Sequence, residues 1–166
     1  MTSRELNFFM NIAVLSADMS YSNKLKVGAI IVKKNHIISY SWNGTPQGWD
    51  NTTEDKSYIG IDSGSIFSTF ELERYWPFED ENGRYKYVTK PEVLHAEEHA
   101  ILKLAKNGKA GKNSTIFTTH YPCIKCAKMV HNCGIKKIYY IHDYYDEESA
   151  KYLAKTKIKV KKLFLN

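Results

Sequence analysis

The chain has 166 residues, of which 43% are hydrophobic and 25% are charged, so it is long enough to bury one substantial core. Its apolar runs are shorter than the roughly 18 to 20 residues needed to cross a bilayer, and its amphipathic start is unlike a secretion signal. We therefore exclude a membrane protein and expect one soluble cytoplasmic domain, residues 1–166, whose net charge of +6 favours an anionic partner.

The first predicted elements are a helix and a β-hairpin. Thr2 and Glu5 have the spacing of a capping box, and apolar residues then recur along one helical face as far as Ala17. The β-branched runs VGAIIVKK and HIISYSW flank Asn35 and predict a hairpin that turns there. The segment NGTPQG, residues 43–48, ends the second strand.

Between about residues 49 and 90 the periodicity is lost, and we predict an insertion in the domain. This stretch is polar and aromatic, and we expect at most a short helix in it, from about Phe67 to Tyr75. Packing of its aromatic side chains is the interaction expected to hold it. These aromatics are Tyr58, Phe67, Phe70, Tyr75, Trp76 and Phe78.

The second half of the chain alternates between helix and strand patterns. HAEEHAILKLAKNG, PCIKCAKMVHNCG and DEESAKYLAKT predict helices, whereas STIFTT, IKKIYYIH and IKVKKLF predict strands. Strands separated by helices of this length are usually parallel neighbours, which predicts an α/β sheet with helical crossovers. The alternating lysines of the last strand suit a protected sheet edge better than a nucleic-acid contact.

Two short motifs together indicate a catalytic metal site: His95-Ala96-Glu97, and Cys123 and Cys126 after a proline. One imidazole and two thiolates suit Zn²⁺, and three protein ligands leave the fourth tetrahedral position open. A zinc ion there lowers the pKa of its water to about 7, and Glu97, unbound to the metal, would move the protons. The pair of motifs matches the H-x-E…P-C-x-x-C signature of zinc-dependent base deaminases.

Helix geometry restricts this site. Residues i and i+2 within a helix point to nearly opposite faces, so His95 and Glu97 can serve one metal only if it lies off the helix tip. Cys123 and Cys126 fall at the start of the next helix, where free N–H groups lower the pKa of a thiol. The remaining cysteine, Cys133, is interpreted as a small buried hydrophobe.

Three other interpretations use the same residues. His95 to His99 also fits H-x-x-E-H, an inverzincin protease pattern with His95 and His99 as ligands, but this leaves the cysteine motif without a purpose. The motifs could be incidental, which their joint occurrence at two helix starts disfavours. A catalytically inactive zinc-stabilised module is disfavoured because Glu97 is present.

The chain resembles the deoxycytidylate (dCMP) deaminases of bacteria and viruses, within the cytidine deaminase-like superfamily. The resemblance lies in three segments, residues 25–48, 93–108 and 115–140. NGTPQG after the hairpin, CAK…GIKK after the cysteines, and the aromatic Tyr121 before the proline favour the deoxycytidylate branch. The resemblance implies a three-layer α/β/α sandwich with a mixed five-stranded sheet, and hydrolysis of dCMP to dUMP and ammonia.

The resemblance also implies roles for individual residues. His95, Cys123 and Cys126 would bind zinc, and Glu97 would be the acid and base. Lys24, adjacent to Lys26, stands where relatives have an arginine that contacts the 5′-phosphate, and it keeps the charge but loses the bidentate fork. The other implied contacts are Asn43 with the sugar, the backbone of Gly28, Ala29 and Ala96 with the base, and Tyr121 and Tyr144 at the pocket.

Family members are allosteric hexamers that dCTP activates and dTTP inhibits, with Mg²⁺ accompanying the triphosphate. The resemblance implies the same here, through the loop that contains Gly44, Gln47, Gly48 and Asp50, although turn formation explains these glycines equally well. Some relatives carry a second, structural zinc on cysteines near the first strand. Ser22 and the absence of cysteine before Cys123 predict one zinc per subunit here.

A base deaminase acting on tRNA or single-stranded DNA would share the zinc motifs. It would need an open groove and salt-dependent binding. The long insertion argues against this alternative because a capping segment suits a closed pocket for a small molecule better. We therefore expect no nucleic-acid partner.

Overall fold

The computed structural model describes residues 1–59, 68–144 and 146–165. The described helices are α1 Ser3–Ala17, α2 Thr69–Tyr75, α3 Ala96–Lys106, α4 Ile124–Asn132 and α5 Glu147–Ala154. The described strands are β1 Gly28–Lys33, β2 His36–Trp42, β3 Glu54–Tyr58, β4 Phe78–Asp80, β5 Gly83–Thr89, β6 Thr115–Thr118, β7 Lys137–Tyr140 and β8 Lys159–Lys162. No helix among them is long and apolar enough to span a membrane.

The predicted first helix and hairpin are confirmed. The Thr2 side chain accepts from the N–H of Glu5, and the Glu5 carboxylate accepts in return from the N–H of Thr2, which completes the capping box of α1. Strands β1 and β2 are antiparallel, and the turn between them has Lys34 and Asn35 at φ of 50° and 61°. Both values lie in the left-handed region that two-residue hairpin turns require.

The main sheet has five strands in the order β2-β1-β6-β7-β8. β1 pairs antiparallel with β2 and with β6, whereas β6, β7 and β8 pair in parallel because α4 and α5 cross over between them. The predicted mixed five-stranded sheet is therefore confirmed. β8 is an edge strand whose Lys159 and Lys161 are exposed, as the alternating lysines predicted.

Side-chain alternation along the strands divides the core into two layers. On one side of the sheet, Ile30 and Val32 of β1 pack with α1, together with Phe117 of β6. On the other side, Ala29 and Ile31 pack with residues of α3, α4 and α5. Helices thus cover both faces of the sheet, and the predicted three-layer α/β/α sandwich is confirmed.

The insertion is more regular than the sequence predicted. β3, β5 and β4 form a second, three-stranded antiparallel sheet in that order, in a region where the sequence indicated no strands. The short helix is present as α2, and the predicted start at Phe67 lies outside the described residues. Two of the aromatic side chains expected to hold the insertion, Tyr58 and Phe78, pack on Tyr85, a tyrosine that the prediction did not include, with ring centroids 5.5 and 5.6 Å apart.

Candidate metal centre and substrate cavity

His95 is the residue at which α3 begins. Its backbone is extended, with φ −70° and ψ 154°, so it is the N-cap, and Glu97 lies two residues further, within the first turn. The Glu98 carboxylate accepts from the His95 N–H at 3.4 Å and fixes the start of the helix. Because His95 precedes the helical residues, its ring and the Glu97 carboxyl reach the same point beyond the helix tip.

Cys123 and Cys126 stand at the start of α4 in the same way. Cys123 is the N-cap, with φ −68° and ψ 168°, and Cys126 lies in the first turn. Asp146, the N-cap of α5, holds this turn, because one of its oxygens accepts from the Ile124 N–H at 2.8 Å and the other from the Ser149 N–H. The carboxylate therefore ties the cysteine-bearing turn to α5.

The spacing of the three donors fits a tetrahedral zinc ion. His95 Nδ1 lies 3.5 Å from the sulfur of Cys123 and 3.5 Å from that of Cys126. For Zn–S of about 2.3 Å and Zn–N of about 2.0–2.1 Å, the edge of a tetrahedron joining N and S is about 3.5–3.6 Å. All three ligand atoms lie within 4.8 Å of one another. A hydrogen bond from the Cys126 thiol, with a second contribution from His95, lowers the pKa of Cys123 to about 4, so a thiolate is available.

Glu97 is buried beside these donors. Its side chain is 4% exposed, and burial raises the pKa of its carboxyl. The hydroxyl of Thr118, at the end of β6, donates to Glu97 Oε1 at 3.2 Å and sets the orientation of the carboxyl. A carboxyl group with a raised pKa suits a group that must accept and release protons near neutral pH.

A cavity of about 170 Å³ opens over the metal centre. Of the residues predicted for the site, it is lined by Lys24, Asn43, His95, Ala96, Glu97, Tyr121, Cys123 and Tyr144. The remaining lining residues are Ser22, Leu25, Val27, Thr89, Val93 and His120. Thr89 comes from β5, so the insertion contributes to the wall.

Three predicted contacts do not line this cavity in the described part of the chain. Gly28 lies against α1, where an added Cβ would be 2.0 Å from the carbonyl oxygen of Ala13, so close helix packing explains the glycine. Ala29 is fully buried and its backbone pairs with Ser41 and Thr118 in the sheet. Lys26 is exposed and outside the cavity lining.

Asn43 links the cavity wall to the end of β2. Its Oδ1 accepts from the N–H of Val27 at 2.8 Å, and its Nδ2 donates to the carbonyl of Leu25 at 2.8 Å. The amide thus holds the segment before β1 in place. The Asn43 amide has two N–H groups, and these bonds use one of them. The other is available for a sugar hydroxyl.

The loop predicted for regulation is joined to the metal centre through the backbone. Gly44 exchanges two hydrogen bonds with Leu94, the residue before His95, at 3.1 and 2.9 Å. Gln47, Gly48 and Asp50 are exposed. Gly48 has φ 91°, which a turn requires and glycine adopts without strain, so turn formation accounts for this glycine.

His99 does not join the metal centre. Its Nδ1 lies 3.4 Å from the carbonyl oxygen of Trp42 on β2, and the ring packs at the contact between α3 and the sheet. Within the described residues, the one His/Cys/Asp/Glu cluster with metal-ligand spacing is His95, Cys123 and Cys126. The protease interpretation therefore lacks its second histidine.

Sequence reasoning missed four polar residues of this region. Thr118 and His120 are adjacent to the cysteine motif but belong to no signature, and Asp146 was recognisable only as the start of a helix pattern. Glu54 lies in the insertion, where it is 6% exposed and contacts the segment before β1. No local pattern marks a contact between residues so distant in the chain.

Comparison with known proteins identifies relatives along almost the whole chain. A family model described as the cytidine and deoxycytidylate deaminase zinc-binding region matches residues 3–142. The deoxycytidylate deaminase of Enterobacteria phage T4 is 30% identical over 147 residues, covering 81% of this chain and 76% of the phage protein. The human deoxycytidylate deaminase is 30% identical over 152 residues, covering 86% of this chain and 68% of that protein.

A solved structure is similar in fold and in sequence. The dCMP deaminase of cyanophage S-TIM5, crystallised with dCMP and dUMP, matches with a TM-score of 0.75 and 32% identity, covering 98% of this chain and 99% of that one. The region matched by the family model includes His95, Glu97, Cys123 and Cys126.

Proposed function

This chain belongs to the cytidine and deoxycytidylate deaminase family, and from that membership we propose that it hydrolyses dCMP to dUMP and ammonia. The observation that carries the proposal is the donor set of His95, Cys123 and Cys126 at tetrahedral spacing, with Glu97 beside it at the floor of one cavity. The named relatives and the cyanophage structure, which act on or bind dCMP, support this choice of substrate.

Zinc, when bound by His95, Cys123 and Cys126, would supply a water molecule that is acidic at neutral pH. Glu97 would take one proton from the attacking water and deliver it to N3 of the cytosine, while the hydroxyl oxygen is added at C4. Glu97 then takes the second proton from the new hydroxyl group and passes it to the amino group, which leaves as ammonia. The C4 carbonyl of uracil remains, so atoms and charges balance.

The other residues of the cavity bind and orient the nucleotide. Lys24, which has no ion pair in the described part of the chain, provides a cation for the 5′-phosphate. Asn43 offers its unused N–H to the sugar, and Tyr121, held edge-on to Tyr140 with ring centroids 5.0 Å apart, forms an aromatic wall for the base. Tyr144, 49% exposed, lies at the rim.

Regulation is the finer part of the proposal. We infer a cytoplasmic hexamer with one zinc per subunit, activated by dCTP with Mg²⁺ and inhibited by dTTP. The effector loop would be residues 44–50. Its Gly44–Leu94 hydrogen bonds support this assignment, because a shift of Gly44 would act directly on the residue before His95.

An ammonia-release assay tests the proposal. The zinc-loaded full chain is incubated with dCMP, dCTP, deoxycytidine and a cytosine-containing oligonucleotide, each with and without dTTP and Mg²⁺. We expect turnover of dCMP, and a decrease in that turnover when dTTP is present. A zinc-loaded protein that releases no ammonia from dCMP would refute the substrate, and turnover of the oligonucleotide instead would favour the polynucleotide alternative.

A further inference from the structure

Residues 20–27 form the part of the cavity wall that carries Lys24. Ser22, Leu25 and Val27 of this segment also line the cavity. The segment has no regular secondary structure, so side chains from elsewhere must hold its backbone. Asn43 does so on the side of the main sheet, through its bonds to Leu25 and Val27. Lys24 lies before both of these anchor points.

On the opposite side, Glu54 of the inserted sheet holds the segment. Its carboxylate accepts from the Ser22 hydroxyl at 2.5 Å and from the backbone N–H groups of Asn23 at 3.1 Å and Lys24 at 3.4 Å. The neighbouring Thr53 hydroxyl donates to it at 2.6 Å. The carboxylate of Glu54 thus accepts hydrogen bonds from three consecutive residues of the wall, although Glu54 itself lies in the inserted sheet.

These donors keep the buried carboxylate charged. Burial alone would raise the pKa of Glu54, but the bonds from Ser22, Thr53 and the two backbone N–H groups outweigh it, and the net effect is a lowered pKa. Among the described residues, no side-chain nitrogen of a lysine, arginine or histidine lies within ion-pairing distance of this carboxylate. Its charge is therefore compensated by neutral donors, and the Lys24 ammonium group is not used for that purpose.

We propose that Glu54 is a positioning residue for the substrate's 5′-phosphate: it fixes the backbone of Lys24 so that the lysine side chain meets the phosphate in the cavity. The inference rests on the proposed function, because it presumes a nucleotide with a phosphate at that end. It gives the insertion a specific role. β3 and β5 meet there in register, Glu54 opposite Thr89, so the inserted sheet supplies both a lining residue and the clamp on Lys24.

A double-mutant cycle tests the inference on the zinc-loaded full chain. The kcat and KM for dCMP are measured for the wild type, Glu54→Gln, Lys24→Met and the double variant, with zinc content and melting temperature recorded for each. Glu79→Gln is the matched control, because it removes the same charge from an exposed position of the same inserted sheet. We expect this control to behave as the wild type does.

Glu54→Gln is expected to raise KM about tenfold and to leave kcat within about twofold. The reason is that the NH₂ group of glutamine would face the hydroxyl and N–H donors of residues 22–24, which then lose an acceptor. In the Lys24→Met background the same change should alter KM by less than about twofold, since residues that act through one another are not additive. Ser22→Ala removes one donor to Glu54 and retains the charge of the carboxylate, so it should raise KM about threefold. It takes the place of Glu54→Gln in the cycle if Glu54→Gln does not fold.

The outcomes distinguish this inference from the proposed function. Equal effects of Glu54→Gln in both backgrounds, or a fall in kcat with loss of zinc, would assign Glu54 a structural role only and overturn the inference. An unchanged KM in Lys24→Met would overturn it as well, although the deaminase would stand. A wild-type chain that does not act on dCMP would instead refute the proposed function itself.

Discussion

Replacing Glu97 by glutamine separates proton transfer from metal binding. Within the described residues, Glu97 is the one carboxyl group that lines the cavity, so no neighbour can take over its role. General acid–base catalysis contributes about 10²–10⁴-fold, and Glu97 serves both proton transfers in the proposed mechanism, so we expect kcat to fall by about 10⁴-fold. At about 1.36 kcal/mol per tenfold change, this corresponds to about 5.4 kcal/mol in the activation free energy.

The same variant should not lose stability. Glutamine has nearly the same shape as glutamate and places no ionised group at this buried position, where Glu97 is 4% exposed. The amide oxygen still accepts from Thr118. We therefore expect a melting temperature at or above that of the wild type, measured by circular dichroism, and one zinc per chain, measured by elemental analysis.

Glu98→Gln is the matched control for this experiment. It removes a carboxylate from the next position, and glutamine is also able to complete the capping box with His95. Its ammonia release from dCMP should stay close to that of the wild type. If zinc-loaded Glu97→Gln retained more than about a tenth of wild-type kcat, a loss far below that of a general acid–base group, Glu97 would not be the proton carrier.

Three further substitutions act through hydrogen bonds. Thr118→Val removes the donor to Glu97 without changing the shape of the side chain and should lower kcat about tenfold with KM unchanged, which steady-state kinetics on dCMP measures. Asp146→Ala frees the Ile124 N–H and should weaken zinc binding about 10–100-fold in a chelator competition. Because its pKa is lowered, Glu54 stabilises the folded chain at pH values above the ordinary glutamate pKa of about 4.3. This stabilisation is lost as the pH falls below that value. The melting-temperature difference between wild type and Glu54→Gln should therefore shrink as the pH falls below about 4.3.

Each of these has an outcome that contradicts it. A raised KM in Thr118→Val would mean that the hydroxyl affects substrate binding instead of the proton carrier. Unchanged zinc affinity in Asp146→Ala would show that the cysteine-bearing turn holds its own geometry. A melting-temperature difference that is constant with pH would mean that Glu54 does not titrate on unfolding.

The main domain was predictable because its elements carry local signals. The capping box of α1, the hairpin turn at Asn35 and the alternation of helices with strands each depend on residues close in the chain. The metal site was predictable for the same reason, since each motif is short and each stands at a helix start. The two motifs meet because the helices that carry them, α3 and α4, are neighbours in the fold.

The inserted sheet was not predictable because its signals are weak and its pairs are distant. β3 has the sequence EDKSY, and its first residue, Glu54, pairs with Thr89 at the far end of the insertion. In β3, Glu54, Lys56 and Tyr58 share one face, so this strand lacks the alternation of apolar and polar residues that marks a half-buried strand. The clamp on Lys24 depends on this pairing and stayed hidden with it.

Charge explains why the wall that carries Lys24 has to be placed accurately. With zinc bound as proposed, the thiolates of Cys123 and Cys126 would balance the charge of the ion, and an ionised Glu97 would add a negative charge at the floor of the cavity. The site would then repel a nucleotide phosphate unless a cation stood nearby. Lys24 is the lysine that lines the cavity among the described residues. A lysine is flexible and makes a single-point contact, so its benefit depends on where its backbone is held. Glu54 provides that support by accepting hydrogen bonds from uncharged donors, the Ser22 hydroxyl and the Lys24 N–H. Because these donors compensate its charge, the ammonium group of Lys24 stays available for the substrate.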